Sequence, residues 1–174
     1  MKTNKILLLL TILIICSCSG TSNVRKDSSN VDEWRYDIEA QDTGIQGTYL
    51  VKVWSYAEDP DVAINMAPKD AVHGILFKGF PRNKRIPGQD PLIRDTKTKT
   101  ENAAYFSNFF ADGGPYLQYV TLTNSGAILP GDRLKVGNGD NTMYKIGMVV
   151  SVNVADLRKH LEDDGIIEPL NAGF

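Results

Sequence analysis

Trp34-Arg-Tyr36-Asp-Ile38-Glu-Ala40 alternates apolar and polar side chains without a slip. Successive side chains of a strand point to opposite faces, so this pattern describes a strand with one covered face and one wet face. Residues 46–56, QGTYLVKVWSY, repeat it, with Tyr49, Val51 and Val53 on one face and Lys52 and Trp54 on the other. Thr142 to Val152 repeat it again, with Tyr144, Ile146, Met148, Val150 and Val152 together. Asp42-Thr-Gly44 turns the first strand into the second, which makes a hairpin. Such a chain is committed to a sheet covered on one side.

The cover is encoded between the strands. Residues 60–78 have helical spacing, with Ile64, Ala67, Ala71, Val72, Ile75 and Leu76 in one stripe. Pro60 suits the first helical turn, Pro68 lies inside and predicts a kink, and Gly79 ends the helix. The alanines let this helix sit close on a sheet. Residues 80–97 hold only Phe80, Ile86, Leu92 and Ile93 as large apolar side chains, without a useful period, and are punctuated by Pro81, Pro87, Gly88 and Pro91. They predict a long loop whose deletion removes little buried surface. A second helix is expected over about 98–111, from Ala103, Phe106 and Phe110, with Gly113-Gly114-Pro115 ending it. Tyr116–Thr123 and Asp132–Val136 are expected strands, and 137–141 is a hairpin connection of the kind that needs positive φ. Asn153 caps a last helix, with Asp156 three residues on, and Gly165 stops it. The order β-β-α-α-β-β-β-α is that of an α+β domain, a mostly antiparallel sheet with helices packed on one face.

Both cysteines precede this domain. Lys2 and Lys5 are followed by Ile6 to Ile15, ten residues that are apolar except for Thr11. A span needs about 20 apolar residues, so the run is a secretory signal. Its exit, Ile15-Cys16-Ser17-Cys18-Ser19-Gly20, resembles the lipobox of bacterial lipoproteins: Cys18 follows the small Ser17, with the aliphatic Ile15 at −3. The resemblance implies that residues 1–17 are the signal peptide and that Cys18 is the lipidated first residue of the mature chain; an ordinary secretory signal cut near Ser19 or Gly20 is the alternative. The resemblance implies two or three acyl chains, enough for durable anchoring. With Ser19 rather than Asp after the cysteine, it implies the outer membrane, facing the periplasm. Residues 18–31 are rich in Ser and Asn and form a flexible tether. Residues 32–174 form one domain with no thiol for disulfides or redox chemistry.

The mature chain loses Lys2 and Lys5, which takes 19 basic residues to 17 against 21 acidic ones, a net charge near −4. That is no electrostatic footprint for nucleic acid. The stretches Val51-Lys-Val-Trp-Ser-Tyr56, Ala63 to Val72, Phe77-Lys-Gly79, Phe109-Phe110, Gly113-Gly114, Tyr116, Tyr119-Val120 and Leu157-Arg-Lys-His-Leu161 resemble an uncharacterised family of small Bacteroidetes envelope lipoproteins, over about residues 45–168. The strand followed by an Ala-containing helix is distantly similar to the amino-terminal domains of flagellar and envelope-assembly proteins. Both resemblances imply envelope structure or assembly, and neither supplies a catalytic residue.

Candidate chemistry is sparse. His73 and His160 stand alone, without a His-x-x-x-His pair, so neither metal nor cofactor is expected. Nucleophile elbows and phosphate-binding glycine loops are absent. Glu162, Asp163, Asp164 and Glu168 are a solvated helix end. Tyr105, Phe106, Phe109, Phe110, Tyr116 and Tyr119 form an aromatic cluster that fits a core. Trp54 is the candidate exposed aromatic. Arg82, Lys84 and Arg85 give the loop a basic excess suited to an anionic partner or phospholipid headgroups. The expected function is therefore non-catalytic binding, as an accessory component of an envelope assembly or secretion system; a glycan-binding module and an envelope hydrolase are the alternatives. The hydrolase requires a Ser, His or carboxylate set converging in a pocket.

Overall fold

The period-two segments pair as their patterns demand. A computed structural model of the chain describes residues 34–170 apart from 84, 85, 138, 140 and 141. The signal peptide, Cys18 and the tether lie outside the described residues, as do Lys84 and Arg85. Strands β1 (Tyr36–Thr43) and β2 (Thr48–Ala57) form the expected antiparallel hairpin, with a bulge between Ala40 and Asp42. β2 pairs antiparallel with the last and longest strand, which sets Val51 opposite Val150 and Val53 opposite Met148. Numbered in chain order, the short strands β3 (Val120–Leu122) and β4 (Arg133–Val136) occupy opposite ends of the outer edge of β5 (Met143–Asn153). Between them the Asp132 carbonyl accepts from Gly147 N at 2.7 Å, and the Thr123 hydroxyl donates to the Val149 carbonyl at 2.8 Å. On the other edge the Lys78 and Asn83 side chains donate to the Tyr36 and Ala40 carbonyls of β1.

Helix α1 (Pro60–Phe77) lies across β2 and β5. Asp59 caps it by accepting from Asp61 N, and Pro60 sits where its missing N–H is not needed. The helix runs on through Pro68. Its sheet-facing stripe is small: Ala63, Ala67, Ala71 and Gly74 are buried, and a Cβ on Gly74 would stand 2.7 Å from Ile38 Cδ1. Gly79 ends the helix at φ 65°, where a Cβ would also collide with the Gln89 carbonyl.

The second expected helix is divided. α2 (Thr96–Glu101) and α3 (Ala103–Phe109) meet at Asn102, whose backbone leaves helical geometry at φ −105° and ψ 25° and whose side-chain amide donates to the Thr98 carbonyl. The first half of the expected strand 116–123 is a 3-10 turn, Pro115–Tyr119, which carries Tyr116 into the core. Pro115 opens that turn after Gly114, and only Val120–Leu122 reach β5. α4 (Val154–Asp163) starts at the Asn153 cap as expected. Phe77 of α1 meets Phe106 of α3 at 5.0 Å between ring centres, and Phe109 meets His160 of α4 at 5.8 Å, so the helices share one core on one face of the sheet. The fold is α+β. Among the described residues no helix is long and apolar enough to cross a membrane.

The loop after α1 departs from its reading as dispensable. Phe80, Ile86 and Ile93 are buried, and bridges Phe80–Gln89 and Asn83–Ile86 fold the segment back on itself. Leu92 N and Ile93 N then donate to the Ile75 and Leu76 carbonyls, which have no partner inside the helix. The segment completes α1 and covers part of the core, so its deletion removes buried surface that the sequence pattern conceals.

Candidate functional site

The alternation of β2 divides its side chains between two environments. Val51, Val53, Ser55 and Ala57 are buried under the helices, while Lys52, Trp54 and Tyr56 lie half-buried on the face that no described helix covers. The pairing brings Asp37 and Glu39 of β1 and Lys145 and Gly147 of β5 beside them.

Gly147 stands directly opposite Trp54. A Cβ on Gly147 would lie 2.9 Å from the indole Cζ3 and 3.0 Å from Cε3, so the ring rests on the bare glycine backbone. The indole Nε1 donates to Glu39 Oε1 at 3.0 Å. The Lys52 and Lys145 ammonium groups lie 4.7 and 5.2 Å from the ring centre, within cation–π range. Next along the face, the Tyr56 hydroxyl and Lys145 Nζ both donate to Asp37 Oδ2, at 2.8 and 2.9 Å. These two donors, Lys145 foremost, hold the Asp37 carboxyl below its ordinary range. In turn the Tyr56 hydroxyl and the Asp37 carboxylate hold the Lys145 ammonium above its own. Lys52 pairs with Asp132 at 2.5 Å, and Arg35 stands over Tyr56 at 5.2 Å. Trp54 is thus fixed in place on a face whose carboxylates and ammonium groups neutralise one another. Such a surface offers an aromatic plane with flanking donors and acceptors.

A second polar group lies under α1, where sequence reasoning places only apolar contacts. Ser55 donates to Asp70 Oδ2 at 2.5 Å, and the Tyr36 hydroxyl stands 2.6 Å from His73 Nδ1. Trp34 stacks on the His73 ring at 3.8 Å and 12°. Burial pushes the Asp70 carboxyl up to about 7 and, with the Lys99 and Lys78 charges, pushes His73 down to about 3. Asp70 Oδ1 and His73 Nε2 have no hydrogen-bond partner among the described residues. Continuing two patterns finds these residues: Ser55 extends the Val51–Val53 alternation, and Asp70 follows Ala67 by three in the helical stripe. Ser55 is fully buried and bonded to a carboxylate, Asp70 is 1% exposed and His73 4%, so these residues are enclosed between α1 and the sheet.

The remaining candidates are scattered. Arg82 is exposed on the loop after α1. Phe106, Phe109, Phe110 and Tyr116 are core, while Tyr105 and Tyr119 are half-buried around His160, which stands 3.4 Å from Asp164. Among the described residues no three His, Cys, Asp or Glu side chains gather as a metal site would require. Compared with protein-family models, curated proteins and solved structures, the chain matches none.

Proposed function

We propose that the protein is an outer-membrane lipoprotein, lipidated at Cys18 and facing the periplasm, whose domain acts by binding as an accessory component of an envelope assembly or secretion system. The observation that carries this reading is Trp54, laid over Gly147 and held by Glu39, Lys52 and Lys145 on the uncovered sheet face. A large aromatic ring fixed before contact loses little conformational freedom on binding, which is what an interface anchor requires. Arg82, with Lys84 and Arg85, is a second contact in this proposal. A glycan ligand is the second reading, favoured by the Trp54 and Tyr56 rings beside the Asp37 and Glu39 carboxylates.

Trp54→Ala is expected to abolish co-purification of the envelope partner from crosslinked cells. It should cost the fold about 1–2 kcal/mol, because the ring is only half-buried. Undiminished co-purification by this variant, and by one with Arg82, Lys84 and Arg85 all reversed to Glu, would remove both surfaces from the proposal. Cys18→Ala is expected to move the protein from the membrane to the soluble fraction with its thermal midpoint unchanged. Acyl label that persists in Cys18→Ala, or is absent from the unaltered protein, rejects the anchor.

A further inference from the structure

Ile45 and Leu170 are 81% and 73% exposed, the highest among the large apolar side chains described as exposed. Single exposed apolar residues are ordinary, but these two line the same groove. The groove, about 460 Å³, runs between the β1–β2 turn and the first turn of α4. Half-buried Tyr49 and Leu92 and buried Val154 line it as well. The turn is rigid: Thr48 donates to the Ile45 carbonyl through both its N–H and its hydroxyl, and Ala155 N donates to the Gly47 carbonyl. Ile45 is therefore held out in solvent on an ordered support.

We propose that this groove is the face the domain lays against the phospholipid surface, with Ile45 and Leu170 entering the apolar layer. The inference rests on the Cys18 anchor proposed above. Two observations choose a lipid surface as the occupant. The first is charge: Arg158 is the one charged side chain among the lining residues, and no carboxylate lines the groove of a chain that is acidic overall. Arg158 pairs with Glu162 at 2.8 Å, so the groove carries no uncompensated charge against an apolar layer. Tyr49 supplies a ring with a polar end, the kind of side chain that suits a membrane interface. The second is reach. Trp34 lies sixteen residue steps beyond Cys18, a span of at most roughly 55 Å when extended. The eleven residue steps from Trp34 to Ile45 cover at most roughly 36 Å at strand rise. An anchor at Cys18 thus allows the far end of β1 to touch the bilayer. It also holds the groove at a high effective concentration near it, so that a weak apolar contact suffices.

The full lipidated chain carrying Ile45→Cys, with Cys18 blocked by its thioether, has one free thiol for an environment-sensitive fluorophore. A second chain carries the label at Glu58→Cys, exposed beyond the other end of β2. Both are reconstituted into vesicles of phosphatidylethanolamine and phosphatidylglycerol. The expected result is blue-shifted emission at position 45, quenched several-fold more by nitroxide-bearing lipid than emission at 58. Equal, water-like emission at both sites in protein that floats with the vesicles overturns the docking and leaves the anchor standing. A shift at 45 that follows protein density and ignores the lipid quencher assigns the groove to a second copy and also overturns it. Protein that fails to float removes the anchor and the docking together.

Discussion

Asp70→Asn is expected to change the pH dependence of stability by on the order of 4 kcal/mol between pH 4 and pH 7, because each pH unit between the free and folded titration points is worth about 1.4 kcal/mol. The Asp70 carboxyl titrates near 7 in the fold against 3.8 when free, so between those values the folded state holds the extra proton. Its contribution to stability is complete below about pH 4 and is lost as the pH rises through 7. His73 runs the other way. Its folded value of about 3 lies below the free value of 6.5, so its contribution is complete above pH 6.5 and is lost as the pH falls towards 3. From about pH 4 to 6.5 the two slopes oppose each other, and the buried pair together leaves stability nearly level. Asparagine keeps an acceptor for the Ser55 hydroxyl but cannot ionise. The advantage of Asp70→Asn over the unaltered protein should therefore grow steadily from pH 4 to pH 7, and the variant alone should lose stability on acidification below 6.5. His73→Asn, measured in the same way, should give a difference of opposite slope. Denaturant titrations at unit pH intervals read both. Parallel profiles for Asp70→Asn and the unaltered chain would mean that Asp70 is ionised and solvated in the fold.

The alternation in β1, β2 and β5 makes most of this architecture legible, because a period of two assigns every side chain to a face before any partner is known. It places Trp54 on the wet face, and the same rule carried two residues further places Ser55 under the helices. What it does not contain is register. That Gly147 lies opposite Trp54, and that Lys145 and Asp37 close on Tyr56, depends on how residues about a hundred positions apart pair across the sheet. The burial of Phe80, Ile86 and Ile93 is hidden for a related reason. Each is buried by the chain folding back onto the carboxyl end of α1, and no local period records such a contact. Asn102 shows the opposite limit: its backbone leaves helical geometry, at φ −105° and ψ 25°, and divides a helix that apolar spacing draws as continuous.

Gly147→Ala is expected to displace the Trp54 indole, which makes it the most direct test of how that ring is seated. Glycine in the middle of a strand is ordinarily a weakness, and alanine there should be neutral or stabilising. Here the added methyl would enter space held by the ring, with Cζ3 and the Lys52 Cε each 2.9 Å from the new carbon. The lysine end can move aside. The indole cannot do so without breaking its Glu39 hydrogen bond and leaving the two ammonium groups, so the substitution should cost about 1–3 kcal/mol as an overpacked site does. The indole N–H resonance of Trp54 should shift and exchange faster with solvent, while that of Trp34, stacked on His73 under α1, stays in place. The decisive comparison is a double-mutant cycle. In a Trp54→Ala background the methyl meets no ring, and the cost of Gly147→Ala should fall to near zero or change sign. Additive losses in the double variant would show that the ring does not rest on Gly147, and the preorganised surface proposed for partner binding would lose its foundation.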